Sequence, residues 1–471
     1  MTSSQPTEFA FTGCTGALLP GATCNLDLTV RPLGVGARSA TYLVQNGTSS
    51  VGQASIPADA TGVARLTWTS TGTGTVTVTP AGTSCGTGCA LYPGGGVTLQ
   101  ARTTNGSGFF FTGFSGSTSC VGPARDCTIQ MSAARTITAT FTPITNNIAF
   151  ISSGLTPANL GGTAPYDAFC NTAATAAGIN NAAGNAYISW MSDSTSTALS
   201  RLGSARAFVR MDGRAFTNDI TRTLTGAEQL QWNPVNYDEF GVRVANESFY
   251  RSGTSPDGTA AGHCEDWTGG GTEGYGGLPN SRWWNLGAIG CTVPYPVMCM
   301  MKTFSGTTLT PAPMAGKLAF VTTTLTPGGG VTALDARCNA EKPTGSGTFK
   351  AMVNTTTTTA ASVLNMSQSY VTPSRQLLGT GADLANYRPL QTGLWQSGNG
   401  SFVDPARFVL TGGGVPTQTS TAALTCDDYT TANPGNGYRT GYLTRSDNWW
   451  FSGFQWGCDA VDQFGVICIE Q

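Results

Sequence analysis

Charge is scarce in this sequence. Of 471 residues only 11% are Asp, Glu, Lys or Arg, under half of the roughly 25% usual in soluble domains. The 24 Lys and Arg nearly cancel the 26 Asp and Glu, for a net charge of -2. No basic surface is available to grip a nucleic-acid backbone, and no acidic tail to repel one. Histidine is scarcer still: His263 stands alone, which argues against Ser-His-Asp catalysis, His-based acid/base chemistry and His-rich zinc sites. No apolar run approaches the roughly 18 to 20 residues of a membrane span. Residues 1–10, MTSSQPTEFA, lack the basic and apolar regions of a signal peptide, so the expectation is a chain whose export signal has been removed, or a fragment. No nucleophile–base pair or metal cluster stands out, and the expected class is a binding or structural protein rather than an enzyme.

Glycine, threonine, serine and cysteine fill the space that charge leaves. The 62 glycines and long Thr/Ser tracts favour turns and strands, and the 14 cysteines fall in separated groups with repeated spacings. That even number in groups reads as disulfides made in an oxidising compartment. On length alone the prior is about three domains.

Residues 9–79 alternate polar and apolar positions, as in NLDLTV (25–30), ATYLV (40–44), ARLTW (64–68) and GTVTVT (74–79). Gly/Pro/Asn-containing turns separate them, the rhythm of an all-β sandwich. Cys14 and Cys24 are placed to staple a hairpin. CTGALLPGATCNLDLTVRP followed by GARSATYLV resembles the last strands of bacterial immunoglobulin-like domains of the hydin-like type, which implies a partial sandwich over 1–62 with an open edge. The run from Gly74 to Phe141 resembles the bacterial β-repeat related to internalin B-repeats: strand, CxxxC turn, strand, aromatic-Gly-aromatic, second Cys pair and TATF. Cys85 with Cys89 and Cys120 with Cys127 close short loops there, and Phe109, Phe110, Phe111 and Phe114 form the expected core of a 63–145 domain.

An internal repeat follows. IAFISSGLTPANLGGTAPYDAFCNTAA (148–174) recurs as LAFVTTTLTPGGGVTALDARCNAE (318–341), each a strand, an LTP turn, a Gly-rich loop and an Ala-rich helix with one Cys. CEDWT (264–268) matches CDDYT (426–430), RWWN (282–285) matches NWWF (448–451), and both copies end in a Cys-bearing strand, VMCMM (297–301) and VICIE (466–470). The predicted domains are 146–303 and 316–471, joined by a Thr/Pro-rich linker at 304–315.

Each copy holds four cysteines in matching order, and four cysteines allow three pairings that sequence does not choose between. A helix cysteine near the start, a strand cysteine near the end and a Gly/Trp-rich excursion between the middle two resemble the C-type lectin fold. With the AFxxS/T start, YxxWMSDST and CxDWT, the match is closer still to the C-type-lectin-like, endostatin-related domain of bacterial surface proteins. The expected fold class is therefore multidomain: an all-β N-terminal part followed by two α+β lectin-like domains. The resemblance implies Cys170 with Cys299, Cys264 with Cys291, Cys338 with Cys468 and Cys426 with Cys458. The first copy has Trp190 and Asp193 where the second has Met352 and Thr355; a core role survives Trp to Met, while a shared solvent-facing role for that motif does not follow.

In lectin-like folds the excursion between the middle cysteines binds ligands. Here it interleaves aromatics with Asn, Arg, Gly and Ser, a composition suited to recognition. The candidate contact residues are Glu273, Tyr275, Trp283, Trp284 and Asn285 in the first copy, and Tyr438, Arg439, Asn448, Trp449 and Trp450 in the second, with one Trp of each pair expected in the core. Sugar-binding C-type lectins hold calcium with Glu-Pro-Asn or Gln-Pro-Asp and a later Trp-Asn-Asp. The nearest strings here, Leu278-Pro279-Asn280, Trp284-Asn285-Leu286 and Asn433-Pro434-Gly435, lack carboxylates. No cofactor is expected and calcium is not favoured; Asp266 and Asp428 read as turn or cap residues. The functional expectation is an extracellular bacterial adhesin or receptor-binding protein that presents tandem lectin-like domains to a glycan or protein on a cell surface. The alternative is a structural subunit of a surface filament, assembled with neighbouring subunits by strand exchange through the incomplete first sandwich. A third reading is a receptor-binding protein diversified at residues 427–459.

Overall fold

The computed structural model describes every residue except 1, 14–20, 45–53, 222–230, 246–248, 256, 270, 272–273, 278–284, 307, 324–327, 404–406, 432–435, 444 and 459–463, and gives the backbone alone at 2, 275, 285 and 286. Strands dominate, helices are few, and the chain divides into two compact units, Met1–Pro143 and Ile144–Gln471.

In the first unit the alternating stretches are strands. Gly36–Val44 pairs antiparallel with Ala54–Gly62 along its length, and Thr2–Ser3 lies on its other side. Phe9–Gly13 and Leu26–Val30 form the expected hairpin, Phe9 opposite Val30 and Gly13 opposite Leu26; Cys14 itself lies outside the described residues. Among the described residues the core of these strands is small: Phe9, Ala40, Tyr42 and Ala58, with the Tyr42 hydroxyl donating to the Phe9 carbonyl. From Ala64 onward two sheets share a larger core. A three-stranded sheet orders Asp126–Gln130, Gly96–Arg102 and Thr75–Thr79; a six-stranded sheet orders Cys120–Gly122, Phe109–Ser117, Arg135–Pro143, Ala64–Thr71, Cys89–Tyr92 and Thr83–Gly86. Alternation decides the faces: Val97, Leu99 and Ala101 point inward to meet Leu66, Phe111, Phe114 and Ile137. Phe110 is also buried, Phe109 only partly. Cys85–Cys89 and Cys120–Cys127 are disulfides.

In the second unit the two copies have one topology. The first orders Tyr187–Ser189, Met298–Met301, Asn147–Ile151, Phe208–Val209 and Ala215–Thr217. In the second, Lys317–Val321 and Phe349–Ala351 both pair with Phe464–Glu470, and Ser369–Val371 and Leu377–Thr380 follow in the matching places. Phe408–Leu410, Gly437–Tyr442 and Gln455–Gly457 extend that sheet beyond Phe464–Glu470, whereas their counterparts Tyr250–Arg251, Gly274–Gly277 and Asn285–Ile289 form a separate three-stranded sheet.

The helices explain why the motif YDAFCN recurs as LDARCN. Ala164–Ala176 buries Tyr166, Cys170 and Ala174, and Gly330–Glu341 buries Gly330, Leu334 and Cys338, each a stripe of period four. On the neighbouring turn the aspartates Asp167 and Asp335 accept from the backbone N–H of Ser189 (2.8 Å) and Ala351 (2.7 Å). Asn171 and Asn339 each donate to a strand carbonyl, Tyr187 or Phe349, at 2.8 Å and accept from the same residue's N–H at 3.0 Å. One side chain thus imitates a strand partner and locks the helix to the sheet. The disulfides Cys170–Cys299 and Cys338–Cys468 fasten the same helix to the terminal strand, and Cys264–Cys291 and Cys426–Cys458 close the excursions. These are the four pairs that the resemblance implies.

The copies also pack on each other, and the stretch between them is tied down rather than free. The Phe304 carbonyl accepts from Asn147 Nδ2 (2.7 Å) and Met314 N–H donates to the Arg375 carbonyl (2.9 Å). Each copy offers the same segment to the contact. Tyr237 and Gln396 hold matching places, since their carbonyls accept from Ile151 and Val321 N–H at 2.9 Å. Around them Arg210 Nη1 donates to the Gln391 carbonyl (2.9 Å), Asn233 Nδ2 to Gln376 Oε1 (3.0 Å), the Tyr237 hydroxyl to Gln391 Oε1 (3.1 Å) and the Thr392 hydroxyl to the Trp232 carbonyl. Like faces meeting in this way reproduce within one chain the logic of an isologous dimer.

Candidate functional site

Both excursions begin with an uncommon backbone. Cys264, Glu265, Asp266 and Trp267 have φ of 51°, 53°, 53° and 61°, and Cys426, Asp427, Asp428 and Tyr429 have 51°, 51°, 53° and 67°. Four consecutive non-glycine residues in the left-handed region carry a cost of roughly 1–2 kcal/mol each, so surrounding contacts must hold the turn. Asp266 accepts from Ser194 N–H and hydroxyl at 2.7 and 2.6 Å, and Asp428 from Thr356 N–H and hydroxyl at 2.8 and 2.6 Å. Trp267 and Tyr429 are buried, with Trp267 Nε1 donating to the Ser192 carbonyl (2.9 Å) and the Tyr429 hydroxyl to the Asn354 carbonyl (3.0 Å). The WMSDST loop supplies these partners. Within it Asp193 Oδ1 accepts from Thr195 and Ser196 N–H, and Thr355 Oγ1 from Thr357 and Thr358 N–H. Asp193 and Thr355 therefore brace the same turn, and Trp190 and Met352 are both core.

Beyond the turn, the second copy builds a ledge of rings. Tyr438 is buried and stacks on Tyr429 (centroids 6.0 Å apart, planes at 8°); burial pushes its phenol up to about 12. Asp447 caps a 3-10 turn over Asn448–Trp450 by accepting from Trp449 N–H at 3.2 Å, and is itself paired with Arg445 (Nε to Oδ1 2.9 Å). With about three residues per turn, neighbouring side chains diverge: Trp450 enters the core and its Nε1 donates to the Arg388 carbonyl (3.2 Å), while Trp449 stays half-buried with the Arg445 guanidinium 5.8 Å from its ring. Tyr442 is in ring contact with Trp449 (5.9 Å), Phe454 (5.7 Å) and Phe408 (5.2 Å), and Phe408 with Trp456 (5.3 Å). Phe454 is 56% exposed. Arg439, whose Nη2 donates to Ser452 Oγ (3.4 Å), and Asn448 are half-buried beside these rings. The arrangement offers a rigid apolar surface bordered by polar groups, suited to noncovalent contact.

Of the ten candidate contact residues, the structure brings Arg439, Asn448 and Trp449 to this surface. Tyr438 and Trp450 are core side chains, excluded from contact because one stacks inside the sheet layer and the other anchors the turn. Glu273, Trp283 and Trp284 lie outside the described residues; Tyr275 and Asn285 sit on the paired strands Gly274–Gly277 and Asn285–Ile289. Sequence reasoning missed Phe408, Tyr442, Phe454 and Trp456. FQWG carries an alternating signal for the last two; Phe408 comes from a remote strand and carries none.

Among the described residues no cluster of three or more His, Cys, Asp or Glu is placed to hold a metal. His263 Nδ1 accepts from Asp266 N–H at 3.0 Å and so caps the first left-handed turn. No protein-family model matches the chain, and no curated protein matches it significantly.

Proposed function

We propose that this chain is an extracellular binding protein of the adhesin or receptor-binding kind, and that the ring ledge of the second repeat contacts a glycan or protein on a target surface. The observation that carries this reading is the continuous contact of Tyr442, Trp449, Phe454 and Trp456, all within the loop closed by Cys426–Cys458, with Phe408 of the adjoining strand, and with Phe454 more than half exposed. Rigid aromatics flanked by arginine supply contact area at low entropic cost and dominate binding hot spots. The matching cysteine order and topology of the repeats support a C-type-lectin-like identity, with the N-terminal β modules as a bacterial surface stalk. Six disulfides among the described residues fit an oxidising compartment, and among the same residues no helix is long and apolar enough to cross a membrane.

The test is a glycan array with a cell-binding assay, comparing the wild-type chain with Trp449→Ala and Phe454→Ala. Loss of binding in both folded variants supports the ledge; binding equal to wild type on every target overturns it. A second reading is favoured by one observation, the small core that the N-terminal strands have among the described residues, Phe9, Ala40, Tyr42 and Ala58: such a module gains stability by accepting a strand from a neighbouring subunit at the Ala54–Gly62 edge. Light scattering separates the two, since a strict monomer at all concentrations counts against strand exchange.

A further inference from the structure

We infer that Arg243 of the first repeat is a positioning residue for the ring ledge of the second, so that the tandem works as one receptor whose first repeat sets the conformation of the second repeat's loop. This rests on the ledge being the contact surface. Arg243 crosses between the repeats: its Nη2 donates to the Leu390 carbonyl at 2.6 Å and reaches the Ser446 carbonyl at 3.5 Å, and its Nη1 reaches the Pro389 carbonyl at 3.4 Å. Leu390 N–H also donates to the Ser446 carbonyl, at 2.6 Å. Ser446 is therefore gripped from both repeats one residue before Asp447, the cap that turns Trp450 inward and leaves Trp449 at the surface. A shift at Ser446 is passed directly to the Asp447 carboxylate and through it to Arg445 and Trp449.

The support runs one way. Tyr237 bridges to Arg243 in the first repeat where Gln396 bridges to Phe402 in the second, and phenylalanine has no side-chain donor to return the contact. The guanidinium suits the role, because several N–H groups in a fixed fork can hold three carbonyls from two chain segments at once, which a lysine ammonium on a flexible stem does less well. Burial lowers the Arg243 guanidinium to about 10, still charged at neutral pH.

The experiment is hydrogen exchange on the full chain with Arg243→Met, which keeps the apolar stem, and Arg243→Lys, which keeps the charge. The expected result is about tenfold faster exchange of the amides of Leu390, Trp449 and Trp450 in Arg243→Met, partial rescue in Arg243→Lys, and unchanged protection of Asn147–Ile151. Exchange at 446–450 equal to wild type, or acceleration spread evenly over both repeats, overturns the inference. Should Arg243→Met fail to fold, Arg243→Lys alone decides on the same criterion. The glycan array run with the same variants separates this from the binding reading: a wild type that binds nothing while Arg243→Met loosens the loop removes the ligand and leaves the positioning role.

Discussion

Trp449 and Trp450 are adjacent in the chain and opposite in role: Trp450 is 1% exposed with its indole N–H on the Arg388 carbonyl, and Trp449 lies half-buried under the Arg445 guanidinium. Trp450→Ala should cost about 3–5 kcal/mol, the usual toll of emptying a large core site. Trp449→Ala should cost under about 1 kcal/mol, as a substitution outside the core. Urea unfolding of the two variants checks the difference, and equal losses would contradict the division. For this reason Trp449, not Trp450, is the informative position for binding assays.

The Asp266 clasp on Ser194 makes the first excursion sensitive to acid. The hydroxyl of Ser194, then its N–H, hold the Asp266 carboxyl below its ordinary value of 3.8, with burial opposing and His263 assisting. A carboxylate lowered by folding stabilises the native state above its unfolded value and loses that contribution as pH falls from there through the lowered value. Thermal unfolding below pH 4 should therefore be less pH-dependent in Asp266→Asn than in the wild type. At pH 7 the Asp428→Ala variant of the second repeat should unfold about 1–2 kcal/mol more easily, by loss of charge-assisted bonds.

Glu265 tests the left-handed turn. It is exposed, with φ of 53°, so backbone conformation outweighs packing there. Glu265→Gly should stabilise by about 0.5 kcal/mol, strain relief less the entropy of a freer unfolded chain, and Glu265→Val should destabilise because a β-branched residue resists positive φ. Chemical denaturation of both variants measures the sign. A stabilising valine would refute the strain.

The Tyr438 hydroxyl is shielded from solvent and has no hydrogen-bond partner among the described residues. Tyr438→Phe should be neutral or stabilising by up to about 1 kcal/mol, since it removes a buried unmet donor. Its phenol ionises near 10 when unfolded and is pushed up to about 12 when folded. Both states hold the proton below pH 10, so the shift has no effect there, and above it the unfolded chain ionises first and native stability falls as pH rises from 10 to about 12. Stability measured from pH 9 upward should fall less steeply in Tyr438→Phe.

Much of this was legible beforehand where a signal is local. Alternation marked the strands around residues 26–30, 36–44 and 64–79, because burial on one face writes a period of two. The repeated YDAFCN and LDARCN marked both Cys-bearing helices. The ledge was only half legible: WW announces one buried and one outer ring, but which is which depends on the Asp447 cap, and Phe408 joins Tyr442 only because its strand pairs with Gly437–Tyr442.

Sequence alone determined the β-rich modular class, the internal repeat and the staples closed by neighbouring cysteines, since each arises from residues close in the chain or from similarity between its parts. Tertiary structure decided that the repeats share one face, that Arg243 crosses to hold Ser446, and that Trp450 supports while Trp449 presents. The first two are set by contacts more than 100 residues apart, such as Arg243 with Leu390, and the third by the Asp447 cap together with the bond from the Trp450 indole to the Arg388 carbonyl 62 residues away; their energies depend on three-dimensional packing that no sequence period encodes.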